Sequence, residues 1–406
     1  MNNYFITCAP FHEGLLLEEI KSMGLRDAKE THLGVSFSGT LKDAYRVLIW
    51  SRLAHHLLLK LKDFKATNQH ALYHEMKKIK WSEHFTAKNT FRIDVLGKHT
   101  QFTHPHYLAQ VAKDAIVDQL REQYGERPNI ERDYPDVVLT IKAKNDDCQL
   151  YVDLSGESLH MRGYRNQAGP APLKETLAAA LVLRSGWAQR VAETGDKILL
   201  DPMCGSGTIL MEAAMIAFDI APGLYRQYFG CLKWQQHDAK LWEELLTEAR
   251  ARKAKGLERQ DIYLIGYDQH PAALIFATDA ARRLGVGARI ILEKQALSQL
   301  TLPDSLPKTP GVIVTNPPYG VRLLSENKDE VRQLFVTLGE RLKAPEFNEW
   351  ELYLITSERE PVKALGIRMN KAYRFKNGDL DCELLQFNIV PERFWQGNLS
   401  KANNSI

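Results

Sequence analysis

The sequence predicts an α/β protein whose C-terminal half forms a parallel, doubly wound sheet, preceded by two smaller α+β units. Short apolar strands alternate with helices after residue 172, as in the segments KILLD, IYLIGYD and GVIVTN. Apolar strands joined by helical crossovers indicate a parallel sheet that is covered on both faces. The last segment, KAYRFKNGDLDCELLQFNIV, contains two strands that meet at a turn. This predicts an antiparallel hairpin, which reverses the end of the sheet.

The first part of the chain predicts two α+β units, over residues 1–60 and 61–161. In the first, YFITCAP and THLGVSFSGT are strands, and FHEGLLLEEIKSMG and LKDAYRVLIWSRLAHHLLLKL have the apolar spacing of helices. In the second, NTFRIDVLG is a strand, HYLAQVAKDAIVDQLREQYG a helix and DVVLTIKAKNDDCQLYVDLS a hairpin. Strands and helices that alternate at short intervals are typical of small α+β units.

Residues 162–172, RGYRNQAGPAP, predict a linker because they are rich in Gly, Pro and Arg and show no periodicity. The third domain then covers residues 173–395, and residues 396–406 form a frayed tail. An aromatic-rich insert, RQYFGCLKWQQHDAKLWEELLTEARARKAKG, separates the first helix of this domain from its second strand. Its aromatic side chains either pack over the ligand site or form a helical subdomain of their own.

The composition is that of a globular protein, with 44% hydrophobic and 25% charged residues. No apolar run approaches the roughly 20 residues of a membrane helix, and the N-terminus lacks a signal peptide. Five scattered cysteines without a C-x-x-C pair indicate a reducing compartment, which predicts a cytoplasmic protein. The histidines of HTQFTHPHY lack an acidic or cysteine partner at metal spacing, so we predict no metal site.

The net charge of +3 neither favours nor excludes a polyanionic partner. Between Lys60 and Lys98, however, nine Lys or Arg residues stand against four acidic residues. Such a stretch is either a phosphate-binding face or an ordinary solvated surface, and the count alone does not separate the two.

The first motif, ILLDPMCGSGTILMEAA, places Asp201 at the end of a strand and two glycines, Gly205 and Gly207, before a helix that opens with Thr208. In doubly wound sheets ligands bind outside the carboxyl ends of the strands, where glycines let the backbone approach them. A dinucleotide fingerprint would need a third glycine at Leu210, and a P-loop would need Gly-Lys-Ser/Thr. An acid before the glycines favours a cationic ligand, such as an amino acid's ammonium group, over a phosphate; a plain tight turn is the alternative.

The next strand ends in IGYDQHP, with Asp268 at its carboxyl end. A carboxylate at this place can accept hydrogen bonds from two ribose hydroxyls. An amino acid attached to a nucleoside is S-adenosylmethionine, so the two strand ends together predict that cofactor.

A third strand, GVIVTNPPYG, ends in Asn316, Pro317, Pro318 and Tyr319. The exocyclic amine of a base is a weak nucleophile, and it must be held with its lone pair directed at the methyl donor. The Asn316 side-chain carbonyl and the Pro317 backbone carbonyl can accept its two N–H groups, and proline fixes the local backbone. Tyr319 offers a flat face on which an extruded base can stack. Catalysis would then depend mostly on orientation.

In this order DPMCGSGT, GYD and TNPPYG resemble the amino-methylating, Rossmann-like S-adenosylmethionine-dependent methyltransferases. YFITCAPFHEGLLLEEIK, RGYR, APLKETLAAALVLRSGW and KNGDLDC are further similar to the THUMP-domain family that makes N2-methylguanosine in bacterial 23S ribosomal RNA. The resemblance covers nearly the whole chain. It implies a ferredoxin-like subdomain over 1–60, a THUMP-type RNA-binding domain over 61–161, and ribosomal RNA as the partner.

The resemblance also implies roles for individual residues. Asp268 would bind the ribose, and the target base would contact Asn316, Pro317, Pro318 and Tyr319. The methionine part of the cofactor would contact the first motif, at Asp201, Pro202, Cys204, Gly205, Gly207 and Thr208. The helix of PLKETLAAAL adds weaker candidates, which are Lys174, Glu175 and Thr176. Where relatives tend to place an Asp for the adenine amine, this chain has Gln295 and Ala296.

The leading hypothesis is therefore methylation of a guanine N2 amine in large-subunit ribosomal RNA. The same chemistry on transfer RNA, and adenine-N6 methylation of DNA, remain open because the Asn-Pro-Pro-Tyr tip suits any exocyclic amine. The THUMP-like region counts against DNA. A non-catalytic RNA-binding assembly factor is the alternative from another class, and the intact motifs count against it.

Overall fold

The computed structural model describes residues 1–165, 173–318 and 328–395. The chain divides into a first unit, Met1–Met161 with Pro222–Glu248, and a second unit, Arg162–Ala221 with Ala249–Ile406. No helix in the described ranges is both long enough and apolar enough to cross a membrane.

The first unit is built on one mixed sheet of eight strands, in the order β2-β3-β1-β4-β8-β7-β5-β6. Its strands are β1 (Asn2–Thr7), β2 (Lys29–Thr31), β3 (Gly34–Gly39), β4 (His56–Lys65), β5 (Thr90–Lys98), β6 (Asn129–Ile130), β7 (Val137–Lys144) and β8 (Asp147–Asp153). Its helices include α1 (Glu13–Ser22), α2 (Leu41–Trp50), α3 (Gln69–Lys77) and α4 (Pro105–Tyr124). Strand β4 pairs with β1 on one side and β8 on the other, so the sheet is continuous through both predicted α+β units.

The segment predicted as one long helix over LKDAYRVLIWSRLAHHLLLKL is a helix followed by a strand, so this prediction was wrong. Helix α2 ends at Trp50, and strand β4 begins at His56. Leu57, Leu58 and Leu59 are all buried, as expected for a central strand with side chains packed on both faces. A short apolar run fits a buried strand and a helix equally well, which explains the error.

The hairpin predicted around residues 145–147 is confirmed. Strands β7 and β8 pair antiparallel from Val138 and Asp153 to Lys144 and Asp147. Asn145 turns the chain between them with a φ of +56°, a left-handed conformation that asparagine tolerates better than most residues.

The aromatic insert of the C-terminal half packs in the first unit, so neither of its two interpretations was right. The Tyr228 hydroxyl donates to the Pro135 carbonyl at 2.7 Å, and the Trp234 indole N–H donates to His84 Nδ1 at 3.1 Å. Trp242, in helix α8 (Ala239–Gly256), meets the Tyr45 ring edge-on at a centroid distance of 5.0 Å. These contacts make the beginning of the insert part of the hydrophobic interior of the first unit.

Most cations of the basic stretch between Lys60 and Lys98 form ion pairs. Seven of its nine cations lie within 4.0 Å of a carboxylate, and these are Lys60, Lys62, Lys65, Lys77, Lys78, Lys80 and Arg92. Within the described residues, no ion pair is formed by Lys88 or Lys98. The local excess of positive charge therefore does not, by itself, mark a phosphate-binding face.

The second unit contains a seven-stranded sheet in the order β11-β10-β9-β12-β13-β15-β14. Its strands are β9 (Lys197–Asp201), β10 (Ile262–Asp268), β11 (Ile290–Lys294), β12 (Val312–Thr315), β13 (Trp350–Thr356), β14 (Met369–Asn377) and β15 (Leu380–Ile389). Its helices include α5 (Glu175–Arg184), α6 (Trp187–Ala192), α7 (Thr208–Ala217), α9 (Pro271–Leu284) and α10 (Lys328–Leu342). Strands β9 to β13 are parallel and the last two are antiparallel, which confirms the predicted sheet with its reversed final hairpin.

Apolar side chains from α10 and from the sheet form a buried cluster in the second unit. Phe335 and Leu338 of the helix pack with the strand residues Leu200, Ile313 and Leu352, all of which are almost fully buried. Burial of this apolar surface, at roughly 25 cal/mol per Å², holds the helix on the sheet and fixes the strand ends above it.

The chain reverses its direction of sheet growth between β9 and β12. From β9 it proceeds outward to β10 and β11, and then it returns to the other side of β9 to form β12 and β13. Pairing of β9 with β12 ends at Leu200 and Ile313, whereas pairing of β12 with β13 continues to Thr315 and Leu354. A crevice thus opens at the carboxyl ends of β9 and β12, at the position where doubly wound sheets bind their ligands.

Candidate active site

The turn between β9 and α7 holds two glycines in left-handed conformations. Gly205 has a φ of +54°, and no atom of the described residues lies within 4 Å of the position that a Cβ would take. Gly207 has a φ of +74°, and a Cβ there would lie 3.0 Å from the Ala277 Cβ. Only glycine adopts these conformations without strain. The free space at Gly205 allows a ligand to approach the backbone at the carboxyl end of β9.

The same turn is tied to the neighbouring strand β10 by its backbone N–H groups. The Cys204 N–H donates to the Tyr267 carbonyl at 2.8 Å, and the Gly205 N–H donates to Asp268 Oδ2 at 2.9 Å. The other Asp268 oxygen accepts from the His270 N–H at 2.8 Å. Asp268 therefore lies at the end of β10, as predicted, and also fixes the glycine turn.

Asp201 is the end of β9 and is 1% exposed. Its Oδ1 accepts a hydrogen bond from the Thr315 hydroxyl at 2.8 Å and one from the Met203 N–H at 3.2 Å. Burial raises the pKa of Asp201 to about 7, and the Asp268 carboxylate contributes in the same direction. A cationic ligand beside Asp201 would favour its ionised form. Pro202, which follows it, is buried.

Cys204 lies within the turn as a buried, neutral thiol. Burial raises its pKa above the ordinary range, and the nearby Asp201 and Asp268 carboxylates raise it further. Only the thiolate is an effective nucleophile, so this side chain contributes packing and shape to the site.

On the other side of the crevice, Asn316 follows directly after β12. Its Oδ1 is buried, and it accepts no hydrogen bond from any residue in the described parts of the chain. Pro317 is buried, Pro318 is exposed, and the predicted Tyr319 lies outside the described residues. A buried amide oxygen without a donor costs about 1–3 kcal/mol, so Asn316 presents an acceptor for which a ligand N–H is a suitable partner.

Helix α5 brings two further predicted residues, Glu175 and Thr176, into the buried part of the second unit, while Lys174 before it is exposed. Burial raises the pKa of Glu175, and the Arg165 guanidinium opposes that shift from 3.5 Å away. Arg165 also donates to the Thr208 hydroxyl and, at 3.1 Å, to the Leu173 carbonyl. This arginine links the starts of α5 and α7.

Sequence reasoning missed the residues of RGYR as part of this region, because it placed them in a linker. The described part of that stretch is interior: Arg162 and Tyr164 are each 1% exposed. Both lie beside Glu212 of α7, with an Arg162 Nε to Glu212 Oε1 distance of 3.5 Å and a Tyr164 hydroxyl distance of 3.4 Å. Two arginines and a tyrosine within four residues were the available signal. Residues 166–172 lie outside the described ranges.

Gln295 follows β11, next to the site. Its backbone N–H donates to the Asp268 carbonyl at 3.1 Å, and its side-chain oxygen accepts from the Thr301 N–H at 3.3 Å. The side chain is therefore engaged in its own loop. Ala296 beside it is half-buried. Among the residues that the structure describes, no three His, Cys, Asp or Glu side chains are arranged to hold a metal ion.

Residues 162–386 match a protein-family model described as the RMKL-like methyltransferase domain. This chain belongs to that family. The match begins at the RGYR stretch and extends through the final hairpin, so it includes the strand ends and turns described above.

The region before the RMKL-like domain matches two further models. Residues 3–58 match an RlmL ferredoxin-like domain, and residues 66–153 match a THUMP domain. The predicted family resemblance and fold class are thereby confirmed. The domain limits given above remain predictions.

Similar proteins agree with the RMKL-like assignment. The chain is 41% identical, over 98% of its length, to the ribosomal RNA large subunit methyltransferase K/L of Syntrophotalea carbinolica, of which it covers 55%. The chain thus spans about half the length of the curated relatives it matches.

Two solved structures share this architecture over nearly the full chain. A predicted N6-adenine-specific DNA methylase from Listeria monocytogenes is 28% identical, with a TM-score of 0.81 and coverage of 95% of this chain and 96% of the other. A putative methyltransferase complexed with SAH (S-adenosylhomocysteine) is 26% identical, with a TM-score of 0.81 and coverage of 98% of each chain.

Proposed function

We propose that this chain transfers a methyl group from S-adenosylmethionine to the exocyclic N2 amine of a guanine in 23S ribosomal RNA. The observation that supports the proposal is the buried Asn316 oxygen at the end of β12, which accepts no hydrogen bond from the described residues and lies across the crevice from the glycine turn after β9. Membership of the RMKL-like methyltransferase family supports it.

The described residues fit this cofactor. Among the described residues, Gly205 has open space beside its backbone, and Asp201 is a buried carboxylate that forms no ion pair. Asp201 would hold the ammonium group of the cofactor, and Asp268 would accept from its ribose hydroxyls with the lone pairs left over. S-adenosylmethionine supplies a methyl group activated by its sulfonium.

The remaining predicted residues would shape this pocket. Around the methionine portion we place Pro202, Cys204, Gly207, Thr208, Glu175 and Thr176. Gln295 would lie near the adenine, because its backbone N–H donates to the carbonyl of Asp268, the proposed ribose ligand, at 3.1 Å. Because its side-chain oxygen is already hydrogen-bonded, we expect it to contribute shape more than a specific contact.

On the acceptor side, Asn316 Oδ1 would accept one N–H of the guanine amine, and the Pro317 carbonyl would accept the other. These two acceptors would orient the amine, direct its lone pair towards the methyl donor and stabilise the positive charge that the nitrogen gains on methylation. Pro317 and Pro318 restrict the backbone on which the acceptors are carried. Tyr319 would stack on the extruded base, a contact worth about 1–3 kcal/mol.

The first unit would supply the RNA contacts. Its match to a THUMP domain supports RNA as the partner, and the relative from Syntrophotalea carbinolica is described as a ribosomal RNA methyltransferase. Because most lysines between Lys60 and Lys98 are ion-paired, we expect recognition by shape and by few phosphate contacts. A substrate of this kind places the protein in the cytoplasm.

A second candidate is adenine-N6 methylation of DNA, which the Listeria monocytogenes relative favours by its description. The acceptor geometry at Asn316 suits any exocyclic amine, so the strand ends do not distinguish adenine from guanine. The THUMP match favours the RNA substrate.

Transfer of labelled methyl groups to purified ribosomal RNA, transfer RNA and genomic DNA, followed by nucleoside digestion, tests the proposal. We expect label in N2-methylguanosine from large-subunit RNA. Label in transfer RNA would keep the reaction and change the substrate, and label in N6-methyladenine from DNA would establish the second candidate. The absence of label together with measurable RNA binding would favour a non-catalytic role.

A further inference from the structure

The crevice between β9 and β12 is bridged by one side-chain hydrogen bond. The paired positions of these strands end at Leu200 and Ile313. Beyond them, the Thr315 hydroxyl donates to Asp201 Oδ1 at 2.8 Å. On the outer sides the ladders continue, since Asp201 is still paired with Gly266 of β10. The contact therefore connects the two halves of the sheet at the point where their backbones no longer do.

Both partners of this bond are shielded from water, because Thr315 is 0% and Asp201 is 1% exposed. A hydrogen bond between a hydroxyl and a carboxylate is stronger than one between neutral groups, and water cannot compete with it here. Thr315 is also the residue directly before Asn316. A displacement of its hydroxyl would move the Asn316 backbone as well as the Asp201 carboxylate.

We propose that Thr315 is a positioning residue, whose hydroxyl sets the place of the Asp201 carboxylate relative to Asn316. The inference rests on the proposed function, in which Asp201 holds the methyl donor and Asn316 holds the acceptor. Thr315 then controls the distance between donor and acceptor without contacting either.

The charged and titratable groups that face Asp201 are few. Asp268 from β10 acts on it through its charge, the Cys204 thiol of the turn is neutral, and the hydrogen bonds from Thr315 and the Met203 N–H favour its ionised form. Loss of the Thr315 hydroxyl therefore removes a stabilising donor and moves the titration of Asp201 to higher pH. That shift distinguishes a role in positioning this carboxylate from a general contribution to folding.

The test compares three variants of the full chain. Thr315→Val removes the hydroxyl and keeps the shape, and Thr315→Ser keeps the hydroxyl. Thr356→Val is the matched control, since Thr356 is a buried threonine at the end of the next strand, where its hydroxyl donates to the Glu358 carbonyl at 2.8 Å. For each protein, the affinity for S-adenosylhomocysteine is measured by calorimetric titration as a function of pH, and kcat is measured by methyl transfer.

For Thr315→Val we expect kcat to fall between about 10- and 100-fold, the loss typical of small displacements of reacting groups. The rise of its S-adenosylhomocysteine affinity with pH should occur at a higher pH than in the wild-type protein. At a pH where the affinity equals that of the wild type, kcat should still be low. Thr315→Ser should restore most of both properties. Thr356→Val should match the wild-type pH profile and kcat.

An unchanged pH profile in Thr315→Val, or a Thr315→Ser variant as impaired as Thr315→Val, would overturn the inference. The binding measurement does not depend on an RNA substrate. A shifted pH profile in the absence of methyl transfer by the wild-type protein would thus contradict the proposed function and leave the Thr315–Asp201 coupling intact.

Discussion

On the β9 side of the crevice the polar groups of the glycine turn are hydrogen-bonded, whereas on the β12 side Asn316 Oδ1 accepts no hydrogen bond from the described residues. The Gly205 N–H and the Asp268 carboxylate are bonded to each other, and the Cys204 N–H is bonded to the Tyr267 carbonyl. Asn316 Oδ1 is buried without a donor from the described residues. The glycine turn on the cofactor side is thus hydrogen-bonded before any ligand binds. On the acceptor side, the burial of Asn316 Oδ1 costs free energy that no hydrogen bond from the described residues offsets.

This difference indicates what each side does. A satisfied turn keeps its shape before its ligand arrives, so the cofactor meets a pre-organised surface. An unsatisfied amide oxygen gains a hydrogen bond only when a donor binds to it. The free-energy cost of burying Asn316 Oδ1 is therefore expected to fall in the complex with the base. Asn388 provides the necessary comparison, because its Oδ1 is also buried without a described partner but lies on β15, away from the crevice.

The largest effect is expected from Asn316→Ala. Removal of a group that orients the reacting amine should reduce methyl transfer by about 10²–10³-fold, as observed for other single contacts made in the transition state. The affinity for S-adenosylhomocysteine should stay within twofold of wild type. Asn388→Ala is the control and should keep full transfer. Equal losses in the two variants would assign the unpartnered oxygens to folding instead of catalysis.

Asp201→Asn should weaken cofactor binding on the β9 side of the crevice. The amide preserves an oxygen that can accept from Thr315 and Met203, but it removes the negative charge that we assign to the ammonium group of the cofactor. Loss of one partner of a buried charge pair costs at least about 2 kcal/mol, roughly a 30-fold loss of affinity. Calorimetric titration with S-adenosylhomocysteine measures it. Wild-type affinity in this variant would remove Asp201 from the cofactor site.

The pH dependence of cofactor affinity is a second test of whether the negative charge of Asp201 binds the cofactor. Since the pKa of Asp201 is raised to about 7 in the free protein, the carboxylate is mostly protonated at about pH 6 and mostly ionised at about pH 7.5. Affinity for S-adenosylhomocysteine should therefore rise roughly eightfold over this interval, in proportion to the ionised fraction.

Asp201→Asn is the control for this titration and should show no such rise. The stability of the free protein should change in the opposite direction. A carboxyl group whose pKa is raised on folding favours the folded state below its unfolded pKa of about 4, and this contribution is lost as the pH rises towards about 7. The assignment of Asp201 to the cofactor site would be contradicted if the affinity and the melting temperature of the wild-type protein changed with pH in the same way as those of Asp201→Asn.

The smallest effects are expected at the glycines. Gly207→Ala combines a φ of +74° with a Cβ contact of 3.0 Å to Ala277, and it should lower the free energy of unfolding of the second unit by about 1–2 kcal/mol. Gly125→Ala in the first unit has the same φ of +74° with open space around it, so it isolates the backbone strain. Unfolding calorimetry compares the two variants. A smaller loss of unfolding free energy in Gly207→Ala than in Gly125→Ala would contradict a destabilising contact between the added Cβ and Ala277.

Local patterns were sufficient to predict the strand ends that bear the site. Asp201, Asp268 and Asn316 each follow an apolar strand, and the topology of a parallel sheet brings such ends to one edge. The sequence could not show that Asp268 also binds the Gly205 N–H, because that bond joins residues 63 positions apart.

The predictions that failed at residues 57–59 and at Arg165 have a common physical cause, since both depend on contacts between residues distant in sequence. The apolar residues 57–59 form a central strand because β1 and β8 pair with it on both sides. Arg165 was predicted to lie in a linker because the residues around it are rich in Gly and Pro, but it contacts Glu175 and Thr208. Of the paired cations between Lys60 and Lys98, only Lys65 and Lys77 pair with acids outside the stretch, which are Asp147 and Glu122; the other five pair with acids within it.

The most direct test of the separate roles of the two sides is a double-mutant comparison of wild type, Asn316→Ala, Asp201→Asn and the double variant. S-adenosylhomocysteine affinity and single-turnover methyl transfer at saturating S-adenosylmethionine are measured for all four. We expect affinity to depend on residue 201 alone, and transfer at saturation to depend almost entirely on residue 316. An Asn316→Ala variant that loses affinity as strongly as Asp201→Asn would show that Asn316 belongs to the cofactor side, and would contradict the division of the site.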